Sequence, residues 1–312
     1  VPLHNVGAVL PGSGELADEV VIVGAHYDHV GMGWTSKEVL HPGADDNASG
    51  TAGVMMLAKW FAARTAALPT PRRTIVFVSF AGEEIGLRGS RHLATHPGDL
   101  GVKGEQISAM LNMDMIGRLE DDRLGVWGMD SGAGLHEFVA ETGRSSKLNL
   151  RLSGNVGPSD HASFYAVKVP VINLITGVHR DMHRPTDTPD KINSEGAVKV
   201  LRFAEALITG LATRPERIAY AAPSARSKVA YLGVMLGDVD GRCALSRVVP
   251  DGPADQARLT EGDVLVTWGG QAVAGAAAVR AKLQKCRPDQ FGRVSVLRGE
   301  QKLDFLVKLG RR

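Results

Sequence analysis

Five short segments of the 312-residue chain bring acidic residues and histidines together. Their sequences are GAHYDH (residues 24–29), GADDN (43–47), GEE (82–84), LNMDMI (111–116) and HRPTDT (183–188). Zinc favours imidazole and carboxylate ligands, and two zinc ions about 3.5–4 Å apart need a carboxylate that bridges them. Unrelated turns would not keep this chemistry in this order, so the segments predict a site for two zinc ions per chain.

Three of these segments also suggest different roles for the residues within them. Glu83 and Glu84 are adjacent, so one can bind metal while the other stays available as a general base. Asp28 follows His26 by two residues and can orient its imidazole from behind, and Asp187 can serve His183 in the same way.

The elements that must position these residues alternate along the first two-thirds of the chain. Buried strands are predicted at residues 20–24, 74–80, 110–115 and 169–175, and apolar residues at helical spacing predict helices near residues 54–61 and 197–211. This alternation predicts an α/β fold with a mixed, mostly parallel sheet sandwiched by helices. Ligands of such sheets bind beyond the carboxyl ends of the strands, so the five segments can converge there.

The chain is predicted to contain two domains. Residues 1–213 form the first. Residues 214–227 lose the helical periodicity, carry two prolines and are predicted to be a linker. Residues 228–312 contain short strands with glycine-rich turns and one helix near 277–283, and they predict a small β-rich domain.

Composition excludes several classes of function. The 36 Lys and Arg residues nearly balance 34 Asp and Glu, and no basic stripe is present, so a nucleic-acid partner is not expected. No apolar run approaches the roughly 20 residues of a transmembrane segment. The sequence has no Gly-x-Ser-x-Gly motif, so the commonest class of serine hydrolase is not expected.

The ordered motifs AHYDH, PGADDNASG, AGEEIGLRGS, NMDMIG and HRPTDT resemble the bacterial leucyl aminopeptidase family of di-zinc exopeptidases. Its superfamily also contains glutamate carboxypeptidases and glutaminyl cyclases. The resemblance covers roughly residues 5–213. It implies the zinc-peptidase fold, a secreted or periplasmic location, and an aminopeptidase that cleaves the N-terminal bond of peptides or proteins.

The resemblance also implies roles for individual residues. His26 and Asp114 would hold one zinc ion, Glu84 and His183 the other, and Asp45 would bridge them, followed by a cis peptide bond to Asp46. Glu83 would be the general base that activates a metal-bridging water. Asp28 and Asp187 would support the two histidines.

Position 182 departs from the family pattern. Many relatives have a tyrosine before the last metal-binding histidine, where its hydroxyl stabilises the oxyanion, but this chain has Met182. Loss of one such donor can lower kcat about 10²–10³-fold. His161 matches a substrate-side histidine of relatives and is the first candidate for the missing donor, ahead of Tyr27. His161 and Met182 are therefore the predicted substrate-binding residues.

The C-terminal region resembles a PDZ domain of the bacterial protease type from about residue 228 to 309. In such a domain the backbone of Tyr231, Leu232, Gly233 and Val234 captures the carboxylate of a C-terminal peptide ligand, which adds as a strand beside residues 234–236, facing the helix. Arg258 departs from the pattern, because glycine is common there. The alternative is a stabilising appendage without a ligand.

Two other functions remain open from the sequence. A glutaminyl cyclase-like acyltransferase shares the fold but uses one zinc ion, and the full set of five ligand residues disfavours it. A catalytically weak peptide-binding protein, acting through its PDZ-like domain, is disfavoured by the presence of Glu83 but supported by Met182.

Overall fold

The computed structural model describes residues 2–32, 39–222, 230–239, 241–250 and 252–311. The chain divides into two units, Val1–Ala222 and Pro223–Arg312. The first contains the residues predicted to bind metal, and the second contains the PDZ-like region.

A mixed sheet of seven strands forms the centre of the first unit. The strands are β1 (Val6–Leu10), β2 (Val20–His26), β3 (Thr74–Phe80), β4 (Ile107–Met113), β5 (Arg123–Trp127), β6 (Asn149–Ser153) and β7 (Val171–Ile175). Their order across the sheet is β1-β3-β2-β4-β7-β5-β6. The pairs of β1 with β3 and of β5 with β7 are antiparallel, and the other pairs are parallel. The predicted mixed, mostly parallel sheet is confirmed.

Five helices accompany this sheet: α1 (Gly50–Ala63), α2 (Arg88–Thr95), α3 (Leu135–Gly143), α4 (His161–Ala166) and α5 (Ser194–Thr213). Successive side chains of β2 enter two different cores, because side chains alternate between the faces of a strand. Val21 packs with residues of α1, α3 and α5, whereas Ile22 packs with residues of α2 and α4. Helices therefore cover both faces of the sheet. Among the described residues, no helix is both long and apolar enough to cross a membrane.

The sequence located the central elements and missed most of the outer ones. β2, β3, β4 and β7, with α1 and α5, fall where apolar runs or helical periodicity predicted them. Strand β4 ends at Met113, short of the predicted residue 115, because Met115 adopts a left-handed conformation with φ of 60°. The short elements β1, β5, β6, α2, α3 and α4 carry weaker sequence patterns.

The second unit is β-rich, as predicted. Its strands are β8 (Ala230–Tyr231), β9 (Val234–Val239), β10 (Arg242–Val248), β11 (Val264–Trp268), β12 (Gln271–Ala272), β13 (Phe291–Arg298), β14 (Gln301–Lys308) and β15 (Gly310–Arg311), and its helices are α6 (Pro253–Gln256) and α7 (Gly275–Leu283). Five strands form the antiparallel order β14-β13-β11-β10-β9. Among the described strands, β9 pairs with β10 alone, so it is an edge strand of the described sheet.

The predicted linker, residues 214–227, overlaps the first unit. Residues 214–222 belong to the first unit, where Ile218 joins the main core and the amide of Ala221 donates to the carbonyl of Ser131. This stretch packs against the first unit as irregular chain, which leaves no periodic pattern in its sequence. Residues 223–227 lie outside the described part of the chain.

Candidate metal centre

Three neighbouring strands deliver most of the ligand-type residues to one edge of the sheet. Strand β2 ends on His26, Glu83 and Glu84 follow the end of β3, and Asp114 follows β4 directly. Since these strands are adjacent and parallel, their carboxyl ends lie side by side. Residues far apart in the sequence therefore meet at this edge.

A wide turn at Ala44–Ser49, called here the Asp46 turn, enters the same edge from the start of α1. It is fastened to the end of β4 through Asn47, whose side-chain amide donates to the carbonyl of Met113 at 3.0 Å and whose side-chain oxygen accepts the amides of Gly50 and Met115. A side chain at Gly50 would collide with this arrangement, because a Cβ would lie 2.3 Å from the Asn47 oxygen.

Asp46 lies between two histidines that reach it from opposite sides. Its Oδ1 is 3.4 Å from Nε2 of His26, and its Oδ2 is 3.0 Å from Nε2 of His183. His26 also lies 3.6 Å from Oδ1 of Asp114, and His183 lies 3.1 Å from Oε2 of Glu84. Each Asp46 oxygen thus belongs to a separate cluster of ligand-type atoms.

This geometry corrects the prediction that Asp45 is the bridge. The Asp45 carboxylate points away from both clusters: Oδ1 accepts the Gly117 amide at 2.6 Å and the Ser49 hydroxyl at 2.9 Å, and Oδ2 contacts His179 at 3.0 Å. Consecutive residues of this turn direct their side chains differently, so the bridging role moves by one position. The cis peptide bond joins Asp46 and Asn47, not Asp45 and Asp46.

Several buried donor atoms of the two clusters are arranged to bind a metal ion. His26 Nε2 and Asp114 Oδ1 are buried and have no well-aligned hydrogen-bond partner among the described residues. Buried polar atoms without partners are costly and rare, so their convergence indicates a ligand. Among the described residues, three groups have all their ligand atoms within 4.8 Å of one another: His26, Asp46 and Asp114; His29, Asp46, Glu84 and His183; and His26, Glu83 and Glu84. Imidazole and carboxylate donors of this kind suit zinc.

His29 was quoted in the sequence motif but given no role. Its Nδ1 lies 3.0 Å from Oε1 of Glu84, and its ring meets that of His183 edge-on at 5.5 Å. A sequence signal for His29 was present, because His29 is the last residue of the AHYDH motif. Spacing alone, however, does not distinguish a ligand from a supporting residue. The structure places it beside Glu84, in the second cluster.

Attraction between the histidines and the carboxylates outweighs the effect of burial on the pKa values of His26, His183 and Asp46. Burial lowers the pKa of His183, but contacts with Asp46 and Glu84 outweigh it and raise this pKa to about 11. For His26 the same competition, with Asp114 and Asp46 as partners, raises the pKa well above its usual range. Burial raises the pKa of Asp46, yet the two histidines bring it well below the usual range. A cation that binds here must displace the imidazole protons.

The two residues predicted to orient histidines support backbone instead. The Asp28 carboxylate accepts the amides of Glu83 and Glu84 at 3.0 and 3.2 Å, while the contact of 3.1 Å to His26 Nδ1 comes from the backbone carbonyl of Asp28. Asp187 accepts the amides of Asp45 and Asp46 rather than holding His183. In each case a short carboxylate accepts two consecutive backbone amides of a turn.

Glu83, the predicted general base, is buried beside the clusters. Its Oε2 is 3.9 Å from Nε2 of His26, and its backbone is fixed by Asp28. Glu84 contacts His183 and His29, so the two glutamates serve different surroundings. The general-base role of Glu83 stays a prediction, because Glu83 also forms a group of ligand-type atoms with His26 and Glu84.

The residues considered for substrate binding are not placed to donate a hydrogen bond to an oxyanion. His161 is fully buried, burial lowers its pKa to about 4, and its Nε2 contacts the carbonyl of Val156. A neutral ring whose N–H faces a carbonyl has no proton on Nδ1, so His161 as placed offers an oxyanion no donor. The Tyr27 hydroxyl donates to the carbonyl of His4. Met182 is 9% exposed and directly precedes His183.

The predicted peptide-binding residues of the second unit, 231–234, lie between two of its strands. Residues 231–234 connect β8 to the edge strand β9. Gly233 has φ of 79°, a conformation that favours glycine, and its carbonyl accepts the amide of Val249. Arg258 also has a positive φ, of 64°, which explains why glycine is common at its position.

Comparison with known proteins places both units. The sequence model of Peptidase family M28 matches residues 5–208, and that of the PDZ domain matches residues 230–309. The chain belongs to peptidase family M28. The resemblance inferred from the five motifs and from the C-terminal region is thereby confirmed.

Relatives of this M28 chain carry aminopeptidase names. It is 32% identical over 216 residues to a probable leucine aminopeptidase of Arthroderma otae, which covers 67% of the chain and 56% of the relative. It is 27% identical over 187 residues to aminopeptidase YwaD of Bacillus subtilis, covering 57% and 38%. The chain thus spans less than two thirds of the length of these curated relatives.

Among solved structures, the chain is similar to an aminopeptidase from Aneurinibacillus sp. strain AM-1. The TM-score is 0.55 at 26% identity, with 71% of this chain and 50% of the other covered. The similarity covers most of the M28 chain and supports the fold described above.

Proposed function

We propose that this M28 chain is a zinc-dependent aminopeptidase with two zinc ions per chain. The observation that carries the proposal is the position of Asp46, whose two oxygens face His26 on one side and His183 on the other. His26, Asp46 and Asp114 would hold one ion, and Asp46, Glu84 and His183 the other, with His29 beside Glu84. The zinc metalloprotease and aminopeptidase names of relatives support this proposal.

Zinc, when bound, supplies a Lewis acid that polarises the scissile carbonyl and lowers the pKa of the attacking water. Glu83 accepts the proton of that water and returns it to the leaving amine, because its carboxylate lies beside the clusters without belonging to the bridge. Asp28 keeps Glu83 and Glu84 in place through their amides.

Two observations bear on the remaining proposals. A glutaminyl cyclase-like function needs one zinc ion, and the presence of two clusters that share Asp46 favours the two-zinc peptidase. The PDZ domain supports binding of a C-terminal peptide between the edge strand β9 and helix α7 as a second proposal. A secreted or periplasmic location stays a prediction from the resemblance.

One experiment tests the function directly. A panel of aminoacyl chromophore substrates is assayed beside N-blocked copies, with zinc content measured on the same sample. We expect turnover of the free substrates, none of the blocked ones, and two zinc ions per chain. Equal turnover of blocked substrates would refute the aminopeptidase, and one zinc ion per active chain would favour the cyclase.

A further inference from the structure

The segment that carries His183, residues 177–187 and called here the His183 loop, is fastened to the Asp46 turn by the carboxyl group of Asp187. Its Oδ2 accepts the amide of Asp45 at 2.9 Å and that of Asp46 at 3.1 Å, and its backbone carbonyl accepts the amide of Ala44 at 3.1 Å. Asp187 is fully buried. Three consecutive amides of the turn therefore depend on one residue of the loop.

Arg118 fixes the other side of Asp187. Its Nη2 donates to Oδ1 of Asp187 at 3.0 Å, and its Nη1 lies 3.5 Å from Oδ2 of Asp181. Each Asp187 oxygen thus has a separate task, because one faces the turn and the other faces the guanidinium. A buried carboxylate that is satisfied on both sides has little freedom to move.

A second connection joins His179 to Asp45. Nε2 of His179 lies 3.0 Å from Oδ2 of Asp45, and Nδ1 accepts the amide of Asp181 at 3.2 Å. Because Nδ1 accepts, the ring proton resides on Nε2 and is donated to Asp45. Both ring nitrogens are engaged, so His179 positions other groups rather than reacting itself.

The opposite side of the turn is held independently of this loop. Asn47 binds the end of β4 at Met113, and Oδ1 of Asp45 accepts the Gly117 amide. These contacts keep Asp46 near His26 and Asp114. Loss of the loop contacts would therefore separate His183 from Asp46 and leave the cluster around His26 in place.

We propose that Asp187 and the pair of Asp45 and His179 are positioning residues that hold His183 against Asp46. They set the affinity of the zinc site formed with Glu84 and His183 but not that of the site formed with His26 and Asp114. The inference rests on the proposed two-zinc function. It gives Asp45, which was predicted to bind metal, a different task.

Zinc titration of the metal-stripped full chain by calorimetry tests this assignment. His179→Ala and Asp187→Asn should each weaken one of the two zinc sites by about 10–100-fold, the usual cost of losing a partner behind a ligand, and leave the other site within threefold. His179→Gln, whose amide N–H can replace Nε2, should restore most of the lost affinity. Lys191→Met is the matched control, because Lys191 contacts Asp181 and the Thr186 carbonyl of the same loop but not the turn.

Hydrogen exchange of the metal-free protein provides a readout that does not depend on zinc. The amides of Asp45 and Asp46 should exchange at least tenfold faster in Asp187→Asn than in the wild type, and His179→Ala should accelerate exchange in both the turn and the loop. Lys191→Met should leave the turn unchanged. His179 is partly exposed, so its variants should fold even if removal of the buried Asp187 charge prevents folding.

The outcomes separate the two proposals. Equal weakening of both zinc sites, or unchanged exchange in the turn of a folded His179→Ala protein, would overturn the positioning role. A wild-type chain that binds a single zinc ion would instead refute the proposed function. The exchange measurement would then still decide whether these contacts hold the loop against the turn.

Discussion

Replacement of Asp46 by alanine should cost the protein both metal ions. Asp46 gives one oxygen to each cluster, at 3.4 Å from His26 and 3.0 Å from His183, so the substitution removes a ligand from two sites at once. Loss of a residue behind a ligand already costs about 10–100-fold in metal affinity. We therefore expect each zinc dissociation constant to rise at least about 100-fold, or about 2.8 kcal/mol per site.

Calorimetric titration of the metal-stripped protein measures both constants, and elemental analysis after gel filtration measures the zinc retained. Asp45→Asn is the matched control, because Asp45 directly precedes Asp46 but its side chain contacts Gly117, Ser49 and His179. It should weaken one site only. Circular dichroism must show that both variants are folded. If Asp46→Ala keeps two zinc ions while Asp45→Asn loses both, the assignment of the bridge to Asp46 is wrong.

Four further outcomes are expected. Glu83→Gln should lower kcat at least 100-fold while both zinc ions remain, because an amide cannot accept the proton, and a variant that keeps more than a tenth of kcat would exclude Glu83 as the base. A chain ending at residue 222 should keep activity on small substrates. A chain ending at residue 213 should unfold at a lower denaturant concentration, because it loses the buried Ile218, whose burial contributes about 1.5–3 kcal/mol to stability. Equal unfolding midpoints of the two chains would contradict this. Arg258→Gly should stabilise the PDZ unit by about 1 kcal/mol in denaturant unfolding, because glycine relieves the positive φ, and a loss of stability would contradict it. Met182→Tyr should raise kcat with little change in KM if the oxyanion lacks a donor, and steady-state kinetics that show a slower enzyme would assign Met182 to the shape of the pocket.

The sequence predicted the membership of the site better than its internal geometry. The resemblance to the aminopeptidase family implied that His26, Glu84, Asp114 and His183 are ligands, and each lies in a cluster of donor atoms. Order and spacing predicted only that these segments meet, because strand ends in a parallel sheet are neighbours. They do not distinguish Asp45 from Asp46, because the direction of each side chain depends on the local backbone of the turn.

Contacts between distant segments were not predictable either. Asp187 lies four residues after His183, so local spacing suggested that it orients that histidine, whereas it binds amides about 140 residues earlier. His179 lies close to the HRPTDT motif, but no sequence pattern links it to Asp45, and only the folded chain brings the two together. The same limit explains the linker, since residues 214–222 pack by tertiary contact without a periodic pattern.

The burial of Asn47 has a consequence for producing this protein. Asn47, Ala48 and Ser49 form an acceptor sequence for N-linked glycans, which are attached to exposed asparagines of secreted chains. In the folded protein Asn47 is 1% exposed and its amide nitrogen donates to Met113, so no glycan fits there. A eukaryotic secretory host that modified the chain before it folded would attach a bulky sugar to the residue that fastens the turn. Recombinant material from such a host should then be misfolded and metal-free, and Asn47 glycosylation would identify the cause.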